Sequence, residues 1–295
     1  MVLVKTRGHG ATRIAVFGVE TDGRPEVSAG ALMRLRNQID EAVSTNGAVL
    51  LRGLRVSDPD EFQRIVDLCG VPLNGYRPGD TPRFGDPGDV PLHSEMSYAR
   101  ARPNRLYFCC DGAGPFTDRR AILADLDPEV RAHFEARGVM YRRNLHGGLG
   151  FGRSWQQTFE TGDRAVVEGY LRSAQAEFAW TSDGGLRVSQ IRPAIRVHPF
   201  TGDRVWFNQI DQWHPVNLSA YARHSAAGEP WPYSVTYGDG GSIPLDHLDH
   251  VRQVARRNEI VLPWQPGDVI VIDTMLVLSG RPSYAPSRGL VMSLA

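Results

Sequence analysis

The chain has 295 residues, and 33 basic side chains balance 33 acidic ones. A surface with no basic excess gives no electrostatic footing for nucleic acid, and no apolar run approaches the roughly 18 residues of a membrane span. With 41% hydrophobic and 22% charged residues the chain reads as an ordinary globular protein, and its length suits a single β-rich domain over 1–295.

The opening residues, with Lys5, Arg7 and His9, lack the apolar stretch of a signal peptide. The three cysteines, Cys69, Cys109 and Cys110, make a poor disulfide framework. Together these predict reduced thiols and a cytoplasmic protein. Residues 1–28 offer one short strand at Ile14–Val19. Apolar residues at Leu32, Leu35, Ile39 and Val43 recur at three or four residues, which predicts an amphipathic helix over Ala31–Asn46. Asn46-Gly47 is a helix stop. The apolar run Ala48–Leu54 follows as a buried strand. Ser57-Asp58-Pro59-Asp60-Glu61 then carries the cap, early proline and acids of a helix start, and that helix runs to about Cys69.

Residues 71–90 hold four prolines and four glycines, a loop composition. That loop delivers the chain to Pro91-Leu92-His93-Ser94-Glu95-Met96-Ser97-Tyr98. On a strand the side-chain period is two, so His93 and Glu95 leave the backbone on the same face. An imidazole and a carboxylate so placed suit two adjacent positions of an octahedral metal. A second histidine would complete the facial triad of non-haem Fe(II) oxygenases.

Further on, a helix is predicted from Asp127-Pro128 to about Arg137, a strand over Val139–Asn144 and a helix over Gly162–Gln175. Alternating strand patterns fill Gly185–His198, with a turn at 199–203 and a strand over Val205–Gln209. A helix over Pro244–Asn258 precedes strands at Ile260–Trp264, Val269–Asp273 and Gly289–Leu294. Strands with interleaved helices predict a β-rich α+β fold whose antiparallel core is covered by flanking helices.

The run from His93 to Tyr98 and then Arg105-Leu106-Tyr107-Phe108-Cys109-Cys110-Asp111 resembles the segment that carries the first two iron ligands in the taurine dioxygenase/clavaminate synthase-like (TauD/TfdA) superfamily. The resemblance is strongest to the syringomycin-type aspartyl β-hydroxylase branch. It continues through Asn144-Leu145-His146, Ser154-Trp155-Gln156, Arg192-Pro193-Ala194, Trp206-Phe207-Asn208-Gln209, Tyr237-Gly238-Asp239-Gly240 and Pro263-Trp264-Gln265-x-Gly267-Asp268, covering roughly residues 45–295. It implies a double-stranded β-helix (jelly roll) core, Fe(II) and two-oxoglutarate as cofactors, and an amino acid or carrier-protein-tethered aminoacyl substrate. It also implies that Arg288 holds the far carboxylate of two-oxoglutarate, a bidentate task that suits a guanidinium. Asn208, His214 and Arg281 would line the substrate pocket.

The chain departs from that pattern twice. Where relatives read Asp-Asn-Met-x-x-x-His-Gly-Arg, it reads Asp273-Thr274-Met275-Leu276-Val277-Leu278-Ser279-Gly280-Arg281, so Ser279 stands in place of the distal histidine. Relatives also carry Gly-Gly-x-Thr before a strand ending in Ala-Asp. Aligned on Leu123-Ala124-Asp125, the threonine position falls on Ala121. Two alternatives therefore stay open beside an oxygenase. Glu95 and His93 would serve as base and acid in a metal-independent reaction, or the pocket would only bind. His214, His198 and His146 are the histidines available to replace the missing ligand, but they fall where relatives have polar residues near the pocket and read as structural or substrate-contact residues. Trp155, Trp206 and Trp213 read as core or pocket wall.

Overall fold

The computed structural model describes residues 2–9, 12–19, 29–54, 56, 59–69, 90–93, 97, 104–109, 114–217, 231–262, 265–281 and 291–294. Its largest sheet has six strands, in the order β1 (Val2–His9), β2 (Thr12–Val19), β3 (Ala48–Arg52), β14 (Val269–Asp273), β5 (Arg105–Cys109) and β16 (Val291–Leu294). Only the β2–β3 pairing in it is parallel. A four-stranded sheet runs β13 (Glu259–Val261), β6 (Pro115–Asp118), β15 (Val277–Arg281) and β4 (Val90–His93).

The period-two patterns of β3, β5 and β14 decide how these sheets pack. Val49, Leu51, Tyr107, Cys109, Val269 and Val271 face one side, against Leu35, Ile39 and Val43 of α1 (Ala29–Asn46) and Phe62, Ile65 and Val66 of α2 (Pro59–Cys69). Their neighbours Ala48, Leu50, Leu106, Ile270 and Ile272 face the other side, against Phe116, Ile260 and Val277 of the four-stranded sheet. Each large apolar side chain so buried stabilises the fold by roughly 1.5–3 kcal/mol. A slip of one residue would turn every one of them to the wrong layer, so the pattern fixes the register.

The second half of the chain adds another layer. A sheet of β12 (Tyr233–Tyr237), β7 (Val139–Leu145), β9 (Leu186–Arg192) and β8 (Glu177–Trp180) packs with α4 (Pro128–Arg137) and α8 (Leu245–Arg257) at one end, and with α5 (Trp155–Phe159) and α6 (Arg164–Ser173) at the other. β10 (Ile195–Val197) and β11 (Arg204–Trp206) form a separate pair. Among the described residues no helix is long and apolar enough to cross a membrane.

Two sequence signals act as structural locks. Gly47 ends α1 at φ +78°, and a Cβ there would lie 2.5 Å from Val277 Cγ2, so the left-handed turn also lets the chain pass close under β15. In the Gly267-Asp268 turn, Asp268 is buried, accepts from Gln265 N at 2.9 Å, and pairs bidentately with Arg52 of β3. The Tyr237-Gly238-Asp239-Gly240 motif is a third such joint. Asp239 takes Arg137 Nε and Nη2 at 2.7 and 2.8 Å, and that guanidinium lies 3.8 Å from the Tyr237 ring centroid.

Three expectations change. Residues 119–125 form a helix, α3 (Arg119–Asp125), rather than a strand ending at Asp125, because Asp118 caps it by accepting Arg120 N–H at 2.8 Å. β11 stops at Trp206 instead of Gln209, because Asn208 Oδ1 accepts Ile210 N–H at 3.2 Å and opens α7 (Ile210–Trp213). The strand expected over Ile260–Trp264 is Glu259–Val261, with Pro263 and Trp264 outside the described residues.

Candidate functional site

β15 is the strand that assembles the site. On one side Ser279 pairs with His93 at the end of β4, and on the other with Phe116 of β6. Directly opposed residues of an antiparallel pair share a face. Val277 and Phe116 belong to the core between the two sheets, whereas Leu278 and Leu92 pack on the outer side. Positions 93 and 279 therefore belong to the inner face of the four-stranded sheet. Ser279 is 7% exposed there. The register shifts between Ser279 and Arg281, which pairs with Val90, and a bulge next to a site re-aims the residues that follow it. Glu95, Arg288 and the side chains of His93 and Arg281 lie outside the described residues.

The helix at 119–125 moves the second departure to another residue. The strand that ends in an aspartate is Pro115–Asp118, seven residues before Asp125. Shifting the Gly-Gly-x-Thr motif by the same amount moves its threonine position from Ala121 to Gly114. That position carries no hydroxyl either, and has no room for one: a Cβ on Gly114 would lie 2.7 Å from the Gly280 carbonyl oxygen. Ala121 is a buried residue of α3, inside the hydrophobic core.

Behind β4 and β15 lies a layer of a different character. Tyr141, 3% exposed, accepts the Gln209 N–H at its hydroxyl, 2.8 Å away. Burial pushes its phenol up to about 12, against smaller opposing effects of that N–H, Ser97 and the Arg119 charge. Trp213 Nε1 donates to Gln209 Oε1 at 3.1 Å, and Asn208 Nδ2 donates to the Ala194 carbonyl at 3.2 Å. Asn208, expected in the pocket lining, thus has its amide nitrogen and oxygen both engaged by backbone. Arg119 is fully buried, donates Nη1 to the Trp206 carbonyl at 3.3 Å and stands 4.8 Å from the Phe207 ring centroid. Sequence reading missed Tyr141 and Arg119. The signal for Tyr141 was its place in the middle of an alternating strand. Arg119 had none, being a cation in the first turn of an unforeseen helix.

The three spare histidines are all engaged elsewhere. His198, 3% exposed, accepts Thr201 N–H at Nδ1 (3.1 Å), so its Nε2–H donates to Asp273 Oδ2 at 3.1 Å. His214 accepts Val216 N–H at Nδ1 (3.2 Å). Burial is the main reason its pKa falls below the usual value. His146 accepts Gly148 N–H at Nδ1 (3.2 Å) and faces the Gly152 carbonyl with Nε2 at 3.4 Å. Asp273 Oδ1 accepts Met275 N–H and Leu276 N–H at 2.8 and 3.1 Å, and Asp118 is paired with Arg120. Among the described residues no three His, Cys, Asp or Glu side chains form a metal cluster.

Residues 12–294 match the model of the taurine catabolism dioxygenase TauD, TfdA family. The chain is 31% identical over 278 residues to the dapdiamide synthesis protein DdaC of Enterobacter agglomerans, spanning 87% of this chain and 84% of that protein. It is 29% identical over 285 residues to a clavaminate synthase-like protein of Arabidopsis thaliana, spanning 88% and 84%. Two structures of PvcB match with TM-scores of 0.57 and 0.56 at 14% identity, each over 99% of this chain and 90% of the other. The first is from Pseudomonas aeruginosa; the second is described as an Fe, alpha-ketoglutarate dependent oxygenase from an isonitrile synthetic pathway. A complex of AAD-2 with Mn(II) and N-oxalylglycine matches with a TM-score of 0.51 at 14% identity, over 99% and 95%. The fold of these structures is the double-stranded β-helix that the two facing sheets form here.

Proposed function

Because the chain belongs to the TauD, TfdA family of dioxygenases, we propose that it is an oxygenase that modifies a small amino-acid-like molecule in the synthesis of a specialised metabolite. The observation that carries this reading is the register of β15, which pairs Ser279 with His93 and so keeps the positions of the family's ligand strands side by side. The relation to a dapdiamide synthesis protein supports the biosynthetic role. In this reading His93 and Glu95 are the two protein donors to Fe(II), and Arg288 is the partner of the far carboxylate of two-oxoglutarate. When bound, such a pair of cofactors supplies the oxidising power for hydroxylation.

The donor set fits that metal only in part. Imidazole and carboxylate are good ligands, whereas the neutral hydroxyl of Ser279 is a poor one at neutral pH. Gly114 gives the cosubstrate no hydroxyl to lean on. What the chain's own residues do is hold the corner. β6 and β4 flank β15 on both edges, and the Tyr141–Gln209–Trp213 layer keeps water from its back.

The test is succinate release from two-oxoglutarate by the iron-supplied protein across a panel of free and carrier-tethered amino acids. At least one is expected to raise turnover above the level without substrate. Absence of both succinate and dioxygen uptake, for wild type and for Ser279→His alike, would overturn the reading.

A further inference from the structure

The outer face of the sheet formed by β12, β7, β9 and β8 carries a groove that the oxygenase reading does not use. Strand alternation sends Tyr141, Arg143 and Val188 to the buried side, and their neighbours Arg142, Asn144, Arg187 and Ser189 to the opposite face. Register sets the neighbours across that face. Arg142 is opposite Ser189, which is opposite Glu177, and Asn144 is opposite Arg187, which is opposite Ala179. These six residues line a groove of about 330 Å³, at the small end of ligand pockets. It opens on the side of the sheet away from the Tyr141 layer.

Arg142 and Arg187 are diagonal neighbours across β7 and β9, about 7–8 Å apart, which two long side chains can bridge. Among the described residues neither has a hydrogen bond or an ion pair. Half-buried arginines elsewhere are matched: Arg52 by Asp268, Arg105 by Asp40, Arg137 by Asp239 and Arg252 by Asp211. The acid that Arg187 does sense, Asp183, has its Oδ1 held by the Thr181 hydroxyl and by Gly185 N–H at 3.2 Å. The groove's own acid, Glu177, accepts from Ser189 Oγ at 3.4 Å. Two guanidiniums on one face without an acceptor are completed by an oxyanion, with which they make strong charge-assisted bonds. We propose that this groove is a second binding site, apart from the corner at Ser279, for a small organic anion whose acidic oxygens bridge Arg142 and Arg187. A phosphate group or a dicarboxylate supplies that chemistry. Glu177 bounds the site on β8 and repels an anion placed too far toward that strand.

Inorganic phosphate and malonate are the probes, each titrated by calorimetry into the full chain in a buffer free of other multivalent anions. At least one is expected to bind at a single site, and the tighter of the two names the source of the anion. Arg142→Gln and Arg187→Gln are each expected to weaken that binding about tenfold. Arg256→Gln, at an exposed arginine of α8, is expected to leave it unchanged, and Glu177→Gln to tighten it severalfold. Arg187 is exposed, so Arg187→Gln reads the site even if Arg142→Gln disturbs the sheet. Absence of binding by both probes at millimolar concentration would overturn the proposal. So would binding that survives Arg187→Gln, or that Arg256→Gln weakens as much, since the attraction would then be to positive charge in general. Weaker binding by Glu177→Gln would overturn it as well. None of these readings needs metal or turnover, so a failed oxygenase assay leaves the inference standing.

Discussion

The front corner of the site and the layer behind it are made of opposite materials. In the backing layer the polar groups meet one another or backbone: Tyr141 with Gln209, Gln209 with Trp213, Asn208 with Ala194 and Ile210. In the corner Ser279 stands where relatives have a ring, and Gly114 and Gly280, packed closely against each other, bring no side-chain donor. A buried polar network is costly to alter piecemeal, because each lost partner strands another group. A side chain outside that network, such as Ser279, has no such constraint, and can change without unfolding the protein. The difference teaches that stability holds the back of this site in place while its front is free to diverge.

Changes to the scaffold should therefore cost stability and leave the metal response alone, and a change at Ser279 should do the reverse. The largest effect is expected for Asp268→Ala, which removes the buried partner of Arg52 and the acceptor of Gln265 N–H. Breaking such a pair costs about 3 kcal/mol, at the low end because Arg52 is partly solvated. Chemical denaturation measures it.

Gly114→Thr should come next, at about 1–3 kcal/mol from overpacking against Gly280. The added hydroxyl should not tighten two-oxoglutarate binding by calorimetry. A tighter complex would show that the corner can still yield.

Tyr141→Phe strands the Gln209 N–H, at about 1–3 kcal/mol. It should also change the alkaline limb of stability. The folded phenol sits near 12 against an ordinary value of 10.0. Its contribution is level below that ordinary value and falls away as pH rises toward the folded one, because the unfolded phenol ionises first. The loss amounts to about 2–3 kcal/mol at most. Melts recorded across that window should fall for wild type and stay flatter for the variant.

The smallest change in stability belongs to Ser279→His, under about 1 kcal/mol, with the roughly tenfold gain in metal affinity worth about 1.4 kcal/mol. If this variant instead unfolds the protein, the corner is as constrained as the layer behind it and the contrast fails.

The central strands and long helices were legible because burial imposed a period. β3, β14, α1 and α8 all lie within a few residues of where their apolar spacing puts them. β1 was not, since nothing in Val2–His9 marks it before Val19 is seen to pair with Val2. The five-residue α5 was missed although its capping box, Ser154 with Gln157, stood in the sequence. The error at Ala121 came from reading Ile122-Leu123 as strand residues, when Asp118 starts a helix whose inner face they are. At the site, the placement of Ser279 beside His93 was legible through the resemblance. The engagement of His198 was not, because it depends on Thr201 and Asp273 meeting it in space.

The place of β14 in the large sheet has a consequence for how the protein is made. β14 lies between β3 and β5, and its partners are Ala48–Leu51 on one side and Arg105–Cys109 on the other. More than 150 residues separate the nearer of these partners from β14. While a ribosome is still synthesising residue 260, β3 and β5 have no strand to join them, and each presents an open edge to other chains. The sheet closes only when the last tenth of the chain emerges, a long-range step that is slow by nature. Nascent chains should need chaperone protection until then, and a stop codon shortly before Val269 should give aggregates rather than a smaller enzyme.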